Sequence, residues 1–249
     1  MFYSYENNLL FIAAPKTGST SVEECLSELI QDGTRFRIDL PDRTITSTHV
    51  KTPSLGHAKA SEFRDVLGSA LYQQLKVFGF VRDPIDKIVS SYFFTRRGKL
   101  RDAFAIRTEN SKFVMVTRRI ISILSARLLP LWLWSLVYRM RDCNSYFTDA
   151  DGNIIVDYLG ATERLSSDLV EILDHLGHQV PEELIPHSNA SSHRKAGDYR
   201  FFRLWIPYLR KRYSGDVRLY KLVEKRVWSN PQRVLDTKDG VSVASESHC

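Results

Sequence analysis

Short apolar runs and stretches of helical period take turns along this chain, and their order predicts its architecture. Leu9-Leu10-Phe11-Ile12 reads as a buried strand that Pro15 stops. From Ser21 onward, Val22, Cys25, Leu26, Leu29 and Ile30 recur at helical spacing. Arg35 to Leu40 alternates polar and apolar residues, which predicts a half-buried strand, and Ala60 to Leu75 predicts a helix. Lys76-Val77-Phe78-Gly79-Phe80-Val81 is a second buried strand. It runs into Pro84, which suits a first helical turn because that turn leaves its N–H groups unpaired. Asp151-Gly152-Asn153 marks a turn, Ile154 to Leu159 a further strand, and Leu169, Ile172, Leu173 and Leu176 a helix that Gly177 closes. Strands alternating with helices in this way predict an α/β fold with a mostly parallel central sheet flanked by helices. One domain is expected over residues 1–235, with a helical insertion at about 95–143. The Ser-, Lys- and Asp-rich stretch 236–249 is expected to be a disordered tail.

The first strand leads into Pro15-Lys16-Thr17-Gly18-Ser19-Thr20-Ser21. Strand, small-residue loop and helix form the geometry in which N–H groups converge on an anion. Lys16 adds a mobile positive charge, and Thr17, Ser19 and Thr20 add hydroxyl donors, so the loop is expected to cradle a phosphate. The nucleoside-triphosphatase loop G-x-x-x-x-G-K-[ST] places its lysine after a second glycine. Here Lys16 precedes the loop's only glycine, and no G-x-G-x-x-G stands nearby. After the second strand, Arg82-Asp83-Pro84 opens a helix carrying Ser90 and Tyr92. Arg82 at a strand's C-terminal end and Ser90 about two helical turns on are expected to reach one phosphate, the arginine as a planar fork of donors.

Pro-Lys-Thr-Gly-Ser-Thr at 15–20 resembles the 5′-phosphosulfate loop of sulfotransferases that use 3′-phosphoadenosine 5′-phosphosulfate (PAPS). Arg82, Asp83, Pro84, Ser90 and Tyr92 are similar to that family's second motif, with Lys87 where the family usually has arginine. The resemblance covers about residues 8–92 and 145–226. The loop at Glu163 and the helix bearing Asp168 resemble carbohydrate sulfotransferases, notably the uronyl 2-O type. Residues 185–199 are similar to their late cofactor loop. Within it, Arg194-Lys195-Ala196-Gly197 resembles the Arg-Lys-Gly element that closes over the 3′-phosphate; a basic surface loop is the other reading.

The resemblance implies a P-loop-like three-layer sandwich with PAPS as cofactor and 3′-phosphoadenosine 5′-phosphate (PAP) as product. It implies cofactor binding by Lys16, Thr17, Gly18, Ser19, Thr20, Ser21, Arg82, Ser90, Arg194 and Lys195. Lys16 would also be catalytic, meeting charge on the leaving oxygen. The acceptor implied is a hydroxyl on a saccharide, glycan or glycolipid. Its proton needs a base, and histidine titrates in the useful range. His57 resembles the histidine that serves as base in several carbohydrate sulfotransferases. His49, eight residues upstream, is the alternate, and His187 and His193 lie in the late loop. A nucleotide kinase would need the glycine–lysine order and a Mg²⁺-binding acid, neither of which stands out. A non-catalytic binding protein would have lost Lys16 or Arg82. A sulfatase would need Cys-x-Pro-x-Arg, which is absent.

Composition refines this picture only a little. Hydrophobic residues make up 43% and charged ones 26%, which is ordinary for a globular protein. The net charge of +6 suits a polyanionic cofactor or an acidic acceptor. No uninterrupted basic run or nucleic-acid fold signature occurs, so no nucleic-acid partner is expected. Cys25, Cys143 and Cys249 are odd in number, far apart and in no CxxC pair. A disulfide framework or metal site is therefore not expected, and a reducing, cytoplasmic setting is.

Ile120 to Tyr138 holds one charge, Arg127, between the pairs Arg118, Arg119 and Arg139, Arg141. As one straight helix it would span about 28 Å, close to a bilayer core. Pro130 points instead to two shorter helices, Arg127 would be costly in lipid, and a crossing would split the cofactor site. Two readings stay open: a pair of core helices, or an apolar cap on the acceptor side that contacts membrane lipid or a lipid-linked glycan. The second would put Trp132 and Trp134 at the interface, as a peripheral contact with the inner face of the membrane.

Overall fold

A computed structural model describes residues 1–42, 44–46, 48, 55–99, 112–184 and 200–231. The chain divides into two compact units, Met1–Arg82 with Asp142–Asn189 and Arg218–Cys249, and Asp83–Arg141 with Ala190–Val217.

The first unit is built on a six-stranded sheet. Its strands are β1 (Phe2–Ser4), β2 (Leu9–Ile12), β3 (Thr34–Arg35), β6 (Lys76–Val81), β7 (Tyr158–Ala161) and β8 (Trp228–Ser229). A separate antiparallel pair joins β4 (Ile38–Asp39) and β5 (Thr44–Ile45). The sheet order is β3-β1-β2-β6-β7-β8. At its centre β2, β6 and β7 pair in parallel, while β1, β3 and β8 join antiparallel at the flanks. Four of the six strands thus run the same way, in a mixed α/β fold with a mostly parallel sheet.

Alternation along the central strands sends side chains to two separate cores. Leu10, Ile12, Val77, Val81, Leu159 and Ala161 face one, where helices α2 (Ala60–Leu67) and α3 (Ser69–Gln74) bring Phe63, Leu67 and Tyr72. Leu9, Phe11, Phe78, Phe80 and Tyr158 face the other, where α1 (Ser19–Leu29) brings Val22, Cys25 and Leu26. A later helix at Leu165–His175 adds Leu165, Leu169, Ile172 and Leu173 to that second core. Helices therefore cover both faces, as parallel pairing requires.

Three sequence expectations shift. The strand expected over 35–40 breaks at Phe36, whose φ of 63° leaves the extended region. The helix expected over 60–75 becomes α2 and α3, divided at Gly68 with φ 85°. The strand expected over 154–159 begins only at Tyr158 and runs to Ala161. The cause is Asp157: its buried carboxylate takes the Val77 N–H at 2.6 Å, a donor that regular pairing would give to a carbonyl. Asn230 then accounts for the backbone before it, donating its side-chain amide to the carbonyls of Ile154 and Val156.

The second unit is helical in its described residues. α4 (Pro84–Arg97) starts as its proline predicts, with the Asp83 carboxylate accepting from the N–H groups of Ile85 and Asp86. α5 (Lys112–Leu128) and α6 (Leu131–Val137) are separated at Pro130. In the first unit follow α7 (Asn144–Phe147) and α8, the Leu165–His175 helix. In the second come α9 (Arg200–Arg203) and α10 (Ile206–Arg212), and α11 (Ser214–Val223) closes the helical series. Ile85, Ile88, Val89, Tyr92, Leu131, Trp134, Phe202, Leu209 and Tyr213 form the unit's core.

Trp134 corrects the expectation of an interfacial tryptophan pair. It is 1% exposed, stacked on Tyr138 at 4.2 Å and edge-on to Tyr92, so α6 is a core helix there. Among the described residues no helix is long and apolar enough to cross a membrane.

Lys87, at the position where the resembled family has arginine, is also internal. It is 1% exposed, donates to the Arg141 carbonyl at 2.9 Å and faces the Asp216 carboxylate at 3.5 Å. Removing one partner of such a pair leaves the other charge buried and uncompensated. Asp216→Ala is therefore expected to cost about 3–5 kcal/mol in urea unfolding. A loss under about 1 kcal/mol would show that the pair does not hold this unit together.

Candidate active site

The parallel strands β2, β6 and β7 deliver their following loops to one edge of the sheet. These loops are Pro15–Gly18, Arg82, and Thr162 with Glu163. In α/β folds that edge, beyond the carboxyl ends of the strands, is where ligands bind.

The first loop turns tightly. Lys16 takes φ 69° and Gly18 φ 75°, so a non-glycine residue and a glycine both sit in the left-handed region within three positions. For lysine that conformation is strained, and such strain concentrates at functional sites. The buried Thr17 hydroxyl donates to the Ala14 carbonyl at 2.9 Å, which pins the turn. That proton is committed, so the cofactor expectation for Thr17 rests on its backbone N–H. Gly18 is the N-cap of α1 and supplies no capping side chain. The N–H groups that open α1, at Ser19 and Thr20, have no intrahelical acceptor. Ser21 donates instead to the Gly18 carbonyl at 3.1 Å, as the first bond of the helix. A side chain at position 18 would press on α8, since an added Cβ would lie 3.1 Å from Leu165.

Arg82 follows β6 directly and leans toward this loop, its Nη1 donating to the Lys16 carbonyl at 3.4 Å. Its Nε is buried and finds no acceptor among the described residues. A buried donor without a partner costs about 1–3 kcal/mol. Lys16 carries the electrostatic consequence of the arrangement. Burial and then the neighbouring Arg82 charge bring its amine down to about 8. Two cations gathered beside open helix N–H groups, one with an orphaned donor, fit a phosphate or sulfate group.

Thr162 is the residue that sequence reasoning missed. Its hydroxyl donates to the Val81 carbonyl at 2.9 Å, and its methyl lies 3.7 Å from where a Cβ on Gly18 would stand. It ties the ends of β6 and β7 together beside the loop. The signal was hidden because the expected strand stopped short of Ala161. Behind it, the buried Asp168 accepts from the Ala161 N–H at 2.8 Å and from both Arg164 Nε and Nη2. Arg164 then donates to the carbonyls of Val223 and Glu224. Glu163 and Asp168, grouped by resemblance, thus separate: Glu163 is exposed at the edge and Asp168 is structural.

His57 is exposed in a 3₁₀ turn, Leu55–His57, ahead of α2. Its neighbour Ala58 shares a core with Ala14, Val81 and Ala161, at the ends of the three parallel strands. Ser90 is buried on α4, in the other unit. His49, His187, His193, Arg194, Lys195 and the tail 236–249 lie outside the described residues.

The Lys16–Arg82 proximity has a measurable sign. Because Arg82 pushes the Lys16 amine down, Arg82→Gln should raise its titration midpoint above about 8. Reductive ¹³C-methylation followed by NMR reads this, with Lys16→Met identifying the resonance. A Lys16 signal titrating in the ordinary lysine range would contradict the geometry.

Residues 1–123 match the family model described as Sulfotransferase family. No curated protein and no solved structure gives a significant match. The matched span contains both Pro15–Ser21 and Arg82–Tyr92 and ends within α5, beyond the point at which the first resembling segment stops. Through these 123 residues, the match supports a transferase of the sulfotransferase type.

Proposed function

We propose that the chain is a PAPS-dependent sulfotransferase whose acceptor is a hydroxyl on a saccharide, glycan or glycolipid. The observation that carries this reading is the buried Arg82 Nε, without an acceptor among the described residues, beside a lysine whose charge is already destabilised. Such a pair gains most from an anion that offers several oxygens at once. The uronyl 2-O type, a P-loop-like fold, one catalytic domain over 1–235 and a cytoplasmic setting belong to the same proposal. In it, a peripheral membrane contact at 120–138 would use outward residues such as Ile121 and Leu128, since Trp134 is internal.

Each residue then has a role. The N–H groups of Thr17, Gly18, Ser19 and Thr20, with the hydroxyls of Ser19, Thr20 and Ser21, hold the 5′-phosphate side. Arg82 and Ser90 hold the 3′-phosphate, with Arg194 and Lys195 closing over it. When bound, PAPS supplies the sulfuryl group. Lys16 meets the negative charge that builds on the bridging oxygen as its bond to sulfur breaks. A ring nitrogen of His57 takes the acceptor's hydroxyl proton as the new oxygen–sulfur bond forms. Fixed donors and positioning thus do the work, as in phosphoryl transfer.

Transfer of labelled sulfate from PAPS to glycan and lipid fractions tests the reading. Lys16→Ala should lower kcat by about 10²-fold or more with the fold intact. Near-native turnover would remove Lys16 from the chemistry. His57→Ala should lower kcat, leave cofactor affinity nearly unchanged and erase the acidic limb of the pH–rate profile near the imidazole pKa. Should His49→Ala alone do this, the base is His49.

A further inference from the structure

Charge is divided unevenly between the two units. The second contains 19 of the chain's 35 Lys and Arg residues but only six of its 29 Asp and Glu. The first unit is therefore net acidic, and the chain's basic excess belongs wholly to the helical one. Nine of the 12 exposed large hydrophobic side chains among the described residues also belong to the second unit.

These two features meet along α9 and α10. Phe202, Leu209 and Tyr213 face the core, which accounts for one apolar stripe. A second stripe, Phe201, Leu204, Trp205 and Tyr208, recurs at i, i+3, i+4 and i+7 and faces outward. Phe201 is 66% exposed and Leu204 75%. A segment of two short helices and the turn at Leu204–Trp205 that is apolar on two sides has one side to spare. Arg200, Arg203 and Lys211 accompany this stripe and are exposed, and their side chains make no hydrogen bond or ion pair with any described residue. Other arginines of the unit are engaged internally. Arg212 donates to the carbonyls of Ser135 and Leu136 that end α6, Arg127 to those of Arg96 and Gly98 that end α4, and Arg210 faces Asp83.

We propose that the second unit docks on an anionic lipid surface through the outward stripe Phe201, Leu204, Trp205 and Tyr208, with Arg200, Arg203 and Lys211 meeting the head groups. Unengaged cations beside Phe, Leu and Trp are what an interfacial helix presents to an anionic bilayer. Trp and Tyr suit the boundary because one end of the ring is apolar and the other polar. A second copy of the same face is disfavoured, because it would bring like charges together around the stripe. This contact at 200–211 is additional to the one proposed for 120–138 and does not involve the buried Trp134 of α6.

Flotation of the full chain with vesicles tests this without reading turnover, so its failure leaves the transferase reading standing. Phosphatidylcholine vesicles containing phosphatidylserine should carry the protein up, and pure phosphatidylcholine vesicles should not. Arg203→Ala and Lys211→Ala should each weaken binding about fivefold, and added salt should weaken it further. Leu204→Asp, on a solvent-facing residue, should abolish binding while its thermal unfolding matches the parent. If that variant melts early, Tyr208→Ser serves instead. Absence of flotation, equal flotation on uncharged vesicles, undiminished binding by these variants, or capture by a soluble acidic protein alone would overturn the proposal.

Discussion

Everything at the candidate site depends on holding two positive charges close together at the ends of β2 and β6. Arg82 donates to the backbone of Lys16 and lowers the pKa of its amine, while its own Nε is buried without a partner among the described residues. Folding has to overcome both costs, which the sheet and its two cores make possible. Parallel pairing of β2 with β6 in a fixed register, Leu9 to Lys76 through Ile12 to Gly79, sets where each loop emerges. The Thr17 hydroxyl and the Gly18 turn then fix the loop backbone, and Thr162 locks the neighbouring strand ends. The strain is local and the support is distributed, as expected of a preorganised anion site.

The helical unit handles charge in the opposite way. Its buried lysine faces a buried aspartate, and two of its arginines, Arg127 and Arg212, end helices by donating to terminal carbonyls. These interactions satisfy groups that a helix C-terminus otherwise leaves open. Lys87 illustrates the contrast with the site: a cation in register with the Arg82–Tyr92 motif serves the core instead. Position within a motif does not fix a side chain's role; its nearest counter-charge does.

Much of this was legible in the sequence where local chemistry was strong. The β2–loop–α1 unit, the β6 strand, the proline-initiated α4 and the break at Pro130 all carry their own signals in apolar runs, Pro and Gly. Elements whose limits depend on distant partners were not legible. The late start of β7 follows from the Asp157 carboxylate bonding to Val77, 80 residues away. The flanking strands β1 and β8, of three and two residues, are too short to show a period. Trp132 and Trp134 looked equivalent in an apolar run, and only the helical phase against Tyr92 and Tyr138 buries Trp134. Thr162 was hidden for the same reason as β7, because its role exists only once that strand is in register.

The central claim is that the paired cations at the ends of β2 and β6 read a nucleotide bearing a second phosphate. Calorimetry comparing PAP with AMP tests it most directly. A charge-assisted hydrogen bond contributes about 1.5–3 kcal/mol, so PAP should bind at least tenfold more tightly for each contact its 3′-phosphate makes. Arg82→Gln should remove most of that preference. Equal affinity for PAP and AMP would contradict the account, and tight binding of Mg-ATP in their place would assign the loop to nucleoside triphosphate chemistry.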